Sequence, residues 1–204
     1  MGNLCGSQRL QCLMVALAVL CATAACSRVA TDQSRPPGPQ STDASLAPYV
    51  VTAPEIVEEA LRLAEVGKED VVYDLGSGDG RIVIAAARLY GARGVGLELD
   101  PVLVRQAEDN ARRAGVSHLV EFRVQDVLTV DLSPATVVTV YLGPEANLKL
   151  RPRMQAQLRP GARIVSHEFD MGDWAPEAYR QVRDESGRDR ALYLWRIAPR
   201  RSGS

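Results

Sequence analysis

The chain has 204 residues, 46% of them apolar, and a formal net charge of −1. That is enough for one domain with a buried core, and the near-zero charge gives no global field for gathering nucleic acid. All four cysteines (Cys5, Cys12, Cys21, Cys26) fall in the first 26 residues and the only histidines are His118 and His167, so the later chain has no disulfide, thiolate metal site, cysteine nucleophile or histidine cluster.

The first element is an uncharged stretch between Arg9 and Arg28, with Cys12 to Cys26 reading CLMVALAVLCATAAC. It is shorter than the ~20 residues of a comfortable membrane span. A basic residue, a short apolar run and small residues at its end describe a secretory signal. Ala22-Thr23-Ala24 offers a cleavage site, and Thr23-Ala24-Ala25-Cys26 resembles a lipobox in which Cys26 is lipidated. Residues 1–26 are therefore read as a signal peptide, lipoprotein signal or membrane anchor. They would place the protein in the cell envelope, anchored or periplasmic, or in the cytoplasm if the start codon is mis-called. Residues 27–48, rich in Ser, Thr, Pro and Gly, read as a disordered tether.

Residues 49–199 carry the domain, with a tail at 200–204. Thr52-Ala53-Pro54-Glu55 is a capping box opening a helix with Ile56, Val57, Ala60, Leu61 and Ala64 on one face. Val71 to Leu75 reads as a buried strand, followed by a glycine turn and a helix from Arg81 to Leu89. Gly94 to Glu98 is a second strand, and Asp100-Pro101 starts a helix that Gly115 closes. Strands are expected near Leu119–Val124, Thr136–Leu142 and Arg163–Ser166, with a helix from about Pro152 to Leu158. Tyr179–Glu185 and Ala191–Ala198 flank a turn and predict a β-hairpin. The sum is an α/β, Rossmann-like fold: a seven-stranded mainly parallel sheet, helices on both faces, and a C-terminal β-hairpin.

Asp74-Leu75-Gly76-Ser77-Gly78-Asp79-Gly80 carries the most chemistry. Glycines at a strand–turn–helix junction let the backbone approach a ligand, and the helix supplies free N–H groups. A dinucleotide site uses G-x-G-x-x-G for a pyrophosphate, which two carboxylates would repel. The same acids favour the ammonium and sulfonium of S-adenosylmethionine. Glu98, 24 residues after Asp74, stands where a carboxylate accepts both ribose hydroxyls. Asp126, after the third strand, is placed to accept from an adenine amino group. Ser77, Leu99 and Val127 join these as neighbours on the cofactor.

PYVVTAPEIVEEAL, VVYDLGSGDGRIVIAAA, GVGLELDP and FRVQDV together resemble class I S-adenosylmethionine-dependent methyltransferases over nearly the whole domain. They are most similar to the branch of mitochondrial protein-lysine methyltransferases, acting on the ATP synthase c subunit and the adenine nucleotide translocase, and its bacterial relatives. The resemblance implies S-adenosyl-L-methionine as cofactor and a segment at Tyr49 to Thr52 that helps close its site. It also implies a membrane-targeting stretch ahead of the domain and a protein lysine as acceptor.

The acceptor is expected beyond the fourth and fifth strands. Tyr141, Gly143, Pro144 and Asn147 follow the fourth, where the Asn/Asp-Pro-Pro-Tyr/Phe of many nucleobase and amide enzymes is absent. His167, Asp173 and Trp174 follow the fifth. Tyr141 and His167 are the candidate catalytic pair, His167 as a general base or as a cap on the sheet edge. Trp174 either lines a lysine channel or covers the core. The expected partner is a lysine-bearing protein or a small molecule, with no nucleic acid and no metal, the enzyme a monomer. A small-molecule methyltransferase and a non-catalytic binding module for S-adenosyl ligands stand as alternatives, and a nicotinamide oxidoreductase as a distant third.

Overall fold

The computed structural model describes residues 51–199. The expected signal, the tether, Tyr49 and the C-terminal tail lie outside them. Among the described residues no helix is long and apolar enough to cross a membrane.

The elements run α1 (Pro54–Leu63), β1 (Val71–Leu75), α2 (Arg81–Tyr90), β2 (Arg93–Glu98), α3 (Pro101–Arg113), β3 (Val120–Val124), β4 (Val137–Val140), α4 (Pro144–Gln157), β5 (Arg163–His167), β6 (Ala178–Arg183) and β7 (Asp189–Arg196). The strands make one sheet in the order β3-β2-β1-β4-β5-β7-β6. All pairings are parallel except those of β7, which runs antiparallel to both β5 and β6. This is the Rossmann-like sheet with a closing hairpin that the element pattern predicts.

Alternation along each strand feeds two cores. Val72, Val137 and Val165 face Ile56, Leu61, Val83 and Ala86 of α1 and α2. Tyr73, Leu75, Val138 and Ile164 face the other way, onto Leu150 and Met154 of α4. Each large side chain so buried contributes about 1.5–3 kcal/mol. No other helix enters the α4-side cluster. Val127, Val130 and Leu132 from the β3–β4 connection and Met171 from the β5–β6 connection complete it.

Three local expectations are revised. Thr52 does not cap α1: Ala53 is the N-cap, without a side-chain bond, because the Thr52 hydroxyl turns to His167 and Glu55 accepts from the Glu185 N–H instead. The fourth helix starts at Pro144 and runs through Pro152, which lies exposed and forgoes one ladder bond. β4 ends at Val140, so Tyr141 and Leu142 belong to the turn into α4. The α3 start is as read: the Asp100 carboxylate accepts from Val102 N–H at 2.7 Å.

Strand order reverses between β1 and β4, and open α/β sheets bind ligands at the carboxyl ends of their strands at such a switch.

Candidate active site

Asp74 sits at the switch. It is paired in register with Thr139 of β4, whose hydroxyl donates to Asp74 Oδ1 at 2.7 Å. Burial, with Glu98 and Asp79 adding repulsion, pushes the Asp74 carboxyl up to about 7 although the Thr139 bond pulls it down. A buried acid beside other acids is a place short of a cation.

Past Asp74 the chain bends over β2, with the N–H groups of Gly76 and Ser77 both donating to Leu97 O at 2.9 Å. Gly76 has φ +82°, and a Cβ there would lie 2.4 Å from Leu142 Cδ2. Only glycine lets this turn pass beneath the β4 loop. Gly80 is the N-cap of α2 and makes no side-chain bond, while the Arg81 N–H at the helix start reaches Asp79 Oδ1 at 3.4 Å.

Glu98 is clamped at the end of β2. Its Oε2 accepts from Gly78 N–H at 2.9 Å, and its Oε1 from Leu99 N–H at 2.8 Å and Asp100 N–H at 3.1 Å. Asp126 is half-buried at the end of β3, its Oδ1 accepting from Leu128 N–H at 2.8 Å, with Val127 buried behind it. These groups share one edge of the sheet, at the carboxyl ends of the adjacent strands β1, β2 and β3 beside the glycine turn.

Arg81 is the residue that sequence reasoning missed. It donates through Nε and Nη2 to both Asp79 oxygens, at 2.9 and 2.5 Å, and through Nη1 to the Thr52 carbonyl at 2.8 Å. Asn110 Nδ2 holds the Asp79 carbonyl at 2.8 Å. The Asp79 carboxylate is thereby spent on Arg81 and shapes the loop, with Asp74, Glu98 and Asp126 as the other acids at this edge. An arginine two residues after an aspartate at a helix start was the available signal.

At the β4 and β5 ends three rings converge. The Tyr141 and His167 centroids are 3.9 Å apart, and the Phe169 centroid lies 6.1 Å from that of Tyr141. His167 is buried, with Nδ1 3.4 Å from Thr52 Oγ1. Its Nε2 has no hydrogen-bond partner and stands 3.7 Å from Glu168 Oε1. Burial, aided by Arg190 and opposed by Glu168, lowers its pKa to about 4, so the ring is neutral near pH 7 and a weak base. Thr52, Ile56, Ile82, Thr139, Tyr141 and His167 line a narrow, mostly apolar cavity here.

Asn147, expected to touch the acceptor, is instead wholly buried. Its Nδ2 donates to Ser166 Oγ (2.9 Å), Phe169 O (3.0 Å) and Asp170 O (3.2 Å), which pins the turn after β5 and leaves no face for a substrate. Within that turn Phe169 N–H closes onto His167 O at 2.9 Å around Glu168, whose φ is +67°. A non-glycine residue in this region costs roughly 1–2 kcal/mol.

Gly143 and Pro144 form the N-cap and first residue of α4. Asp173 is exposed and ion-paired with Arg151, which also donates to Met171 O at 3.0 Å. Trp174 takes the core role: its ring lies 5.9 Å from that of Trp195, and its carbonyl accepts from Trp195 Nε1 at 2.7 Å.

A match to the ANTKMT methyltransferase domain runs over residues 74–178, from the buried acid of β1 to the first residue of β6. The chain belongs to the ANTKMT methyltransferase family. A protein-lysine N-methyltransferase of Saccharolobus islandicus is 38% identical to this family member over 151 residues, covering 74% of this chain and 93% of the relative. The mouse adenine nucleotide translocase lysine N-methyltransferase is 40% identical over 131 residues, 64% of this chain and 57% of that protein. The chain thus spans a little over half the length of the animal relatives it matches. A crystal structure described as an RNA methyltransferase from Salinibacter ruber in complex with S-adenosyl-L-homocysteine is 53% identical, with TM-score 0.68, covering 76% of this chain and 100% of that one.

This ANTKMT-family member is an S-adenosylmethionine-dependent methyltransferase. Its residues fit the cofactor: Asp74 would offer a buried acid for the ammonium, Glu98 a clamped carboxylate for the ribose, and the turn from Gly76 to Gly80 a largely glycine backbone for close approach. When bound, S-adenosylmethionine supplies a methyl group already activated by a sulfonium.

Proposed function

We propose that the enzyme methylates the side-chain nitrogen of a lysine in a protein, close to a membrane. The observation that carries this reading is the ring wall of Tyr141, His167 and Phe169 beside the acid-lined sheet edge. An apolar aromatic wall that packs on the lysine methylenes and excludes water disfavours the charged ammonium and so favours the neutral amine. Lysine, with an ordinary pKa of about 10.4, must shed a proton before attack. A neutral His167 with a pKa of about 4 is too weak to draw that proton. Its work in this reading is to hold Tyr141 in place, while the proton leaves to solvent. Alignment and exclusion of water then supply most of the acceleration.

The names of the Saccharolobus and mouse relatives support the lysine assignment. The uncharged run from Cys12 to Cys26 supports the membrane location. A second reading, RNA as acceptor, is favoured by the description of the Salinibacter protein. Incubation of the full chain with methyl-labelled S-adenosylmethionine and membrane, soluble-protein, RNA and metabolite fractions separates them. Label recovered as methyl-lysine after acid hydrolysis of membrane-fraction protein is the expected result. Label confined to nuclease-sensitive material, or to metabolites, would overturn the lysine assignment.

A further inference from the structure

Glu168 lies outside the residues assigned to the cofactor above, yet the fold holds it in an unfavourable conformation. The His167–Phe169 bond closes a three-residue turn around it at φ +67°, the rarer and more strained hand of γ-turn. Such strain persists only where neighbours over-determine it. Here Asn147 holds the two carbonyls that follow, at Phe169 and Asp170. The Ser166 hydroxyl donates to Phe169 O at 2.6 Å, and Glu168 N–H is tied to Ala191 O at 2.8 Å. A glycine would sit here without penalty, so the side chain is what the position retains.

The carboxylate lies beside the ring wall. Arg190 Nη1 donates to Glu168 Oε1 at 3.0 Å, and the unpartnered, buried His167 Nε2 is 3.7 Å from the same oxygen. Both contacts fall on Oε1, and the Glu168 side chain remains 24% exposed. Arg190 is itself anchored by Asp184 Oδ2 at 3.0 Å, so it orients Glu168 without being free to leave.

We infer that Glu168 is the acceptor-selecting residue of this enzyme, its Oε2 receiving the ammonium of an incoming lysine and bringing it against the Tyr141–His167–Phe169 wall. The inference rests on the lysine reading above and deepens it. The carboxylate favours a cationic acceptor, and against a phosphate-bearing one it has to offset the Arg190 and Arg188 guanidiniums that share its surroundings.

The test uses the full chain saturated with S-adenosylhomocysteine, with Nα-acetyl-lysine methylamide as probe and the norleucine analogue as its neutral counterpart. Glu168→Gln removes the charge, and Glu168→Gly removes the side chain while relieving the turn. NMR titration should show the wild type preferring the lysine probe, with that affinity at least tenfold weaker in both variants. S-adenosylhomocysteine affinity should stay within twofold, and Glu168→Gly should melt no lower than wild type. In turnover with a labelled protein acceptor, the loss should fall on KM more than on kcat.

Equal binding of the two probes by wild type overturns the inference, as does unchanged lysine affinity in both variants. A parallel loss of S-adenosylhomocysteine binding would mean a merely structural role and also overturns it. Stronger oligonucleotide binding by Glu168→Gln without a change in lysine affinity would assign the edge to nucleic acid. If methyl-lysine forms but KM is unmoved, only the role of Glu168 falls; if no methyl-lysine forms with any fraction, the lysine reading falls as well.

Discussion

Thr52 Oγ1 lies 3.4 Å from His167 Nδ1 across 115 positions of chain. The same threonine gives its carbonyl to Arg81, whose other nitrogens hold Asp79. One residue ahead of α1 therefore ties the glycine turn to the edge where β5 ends, so the two halves of the site share a strut. Thr52→Val keeps the shape and removes the hydroxyl. It should lower stability by about 0.5–1.5 kcal/mol, read by urea denaturation, and weaken S-adenosylhomocysteine binding a few-fold in calorimetry.

His167 adds a pH dependence with a definite sign. Its pKa is lowered to about 4 in the fold, against about 6.5 in an unfolded chain. The unfolded state binds the proton more readily, so stability is complete above about 6.5 and falls as pH drops toward 4. His167→Asn should flatten that part of the stability curve, measured by thermal melts between pH 4 and 8. An unchanged slope would mean other groups dominate the acid limb.

Asp74 has the opposite sign. Its carboxyl is pushed from an ordinary value near 3.8 up to about 7 in the ligand-free fold, so stability is fullest below the ordinary value and is lost as pH rises toward 7. Asp74→Asn should remove that loss and raise the melting temperature at pH 8 by at least roughly 2 °C. It should also weaken S-adenosylhomocysteine binding tenfold or more. In the wild type, affinity should rise as pH climbs through about 7, with a proton released on binding that appears as a buffer-dependent enthalpy. Binding without proton release near neutrality would contradict the placement of the ammonium.

Gly76→Ala tests the turn. The new Cβ meets Leu142 at 2.4 Å and the backbone sits at φ +82°. The conformational cost alone is roughly 1–2 kcal/mol, and cofactor binding should fall below detection. Adding Leu142→Ala should relieve the clash but not the backbone cost, so rescue should be partial.

Asn147→Leu keeps the volume, strands the Asp170 carbonyl and leaves Phe169 O with the Ser166 hydroxyl alone. Urea unfolding should show a loss of about 1–3 kcal/mol. Acceptor KM should rise because the turn bearing Glu168 loosens, while cofactor affinity holds.

What the sequence makes legible is local chemistry. The turn from Asp74 to Gly80, Glu98 at a strand end, and Asp100-Pro101 at a helix start each announce themselves within a few residues. Side chains that act at long range do not. The Thr52 hydroxyl has a local use as a cap and a distant one with His167, and the distant one wins because Ala53 already begins the helix with Pro54 behind it. Asn147 looks like a polar residue on a substrate loop until α4 is seen to start at Pro144, which turns it inward. Pro152 misplaced that helix because proline favours a first turn, and nothing nearby shows that an exposed position can bear it mid-helix. Arg81 has one near partner, Asp79, and one far one, the Thr52 carbonyl 29 positions away, and only the near one is legible in the sequence.

Phe122 lies under two glycines that are distant in sequence. A Cβ on Gly80 or on Gly96 would come within 2.5 Å of the same ring. The three positions therefore draw on a single allotment of space, and their substitutions cannot be scored one at a time. Enlarging either glycine should destabilise the fold beside phenylalanine and less so beside a smaller residue, although a Cβ on Gly96 also meets Ser77 Oγ at 2.7 Å, one on Gly80 meets Ala107 Cβ at 2.9 Å, and Gly80, at φ +81°, keeps its backbone penalty. In a randomised library, survivors at position 96 should arrive paired with a shrunken residue 122.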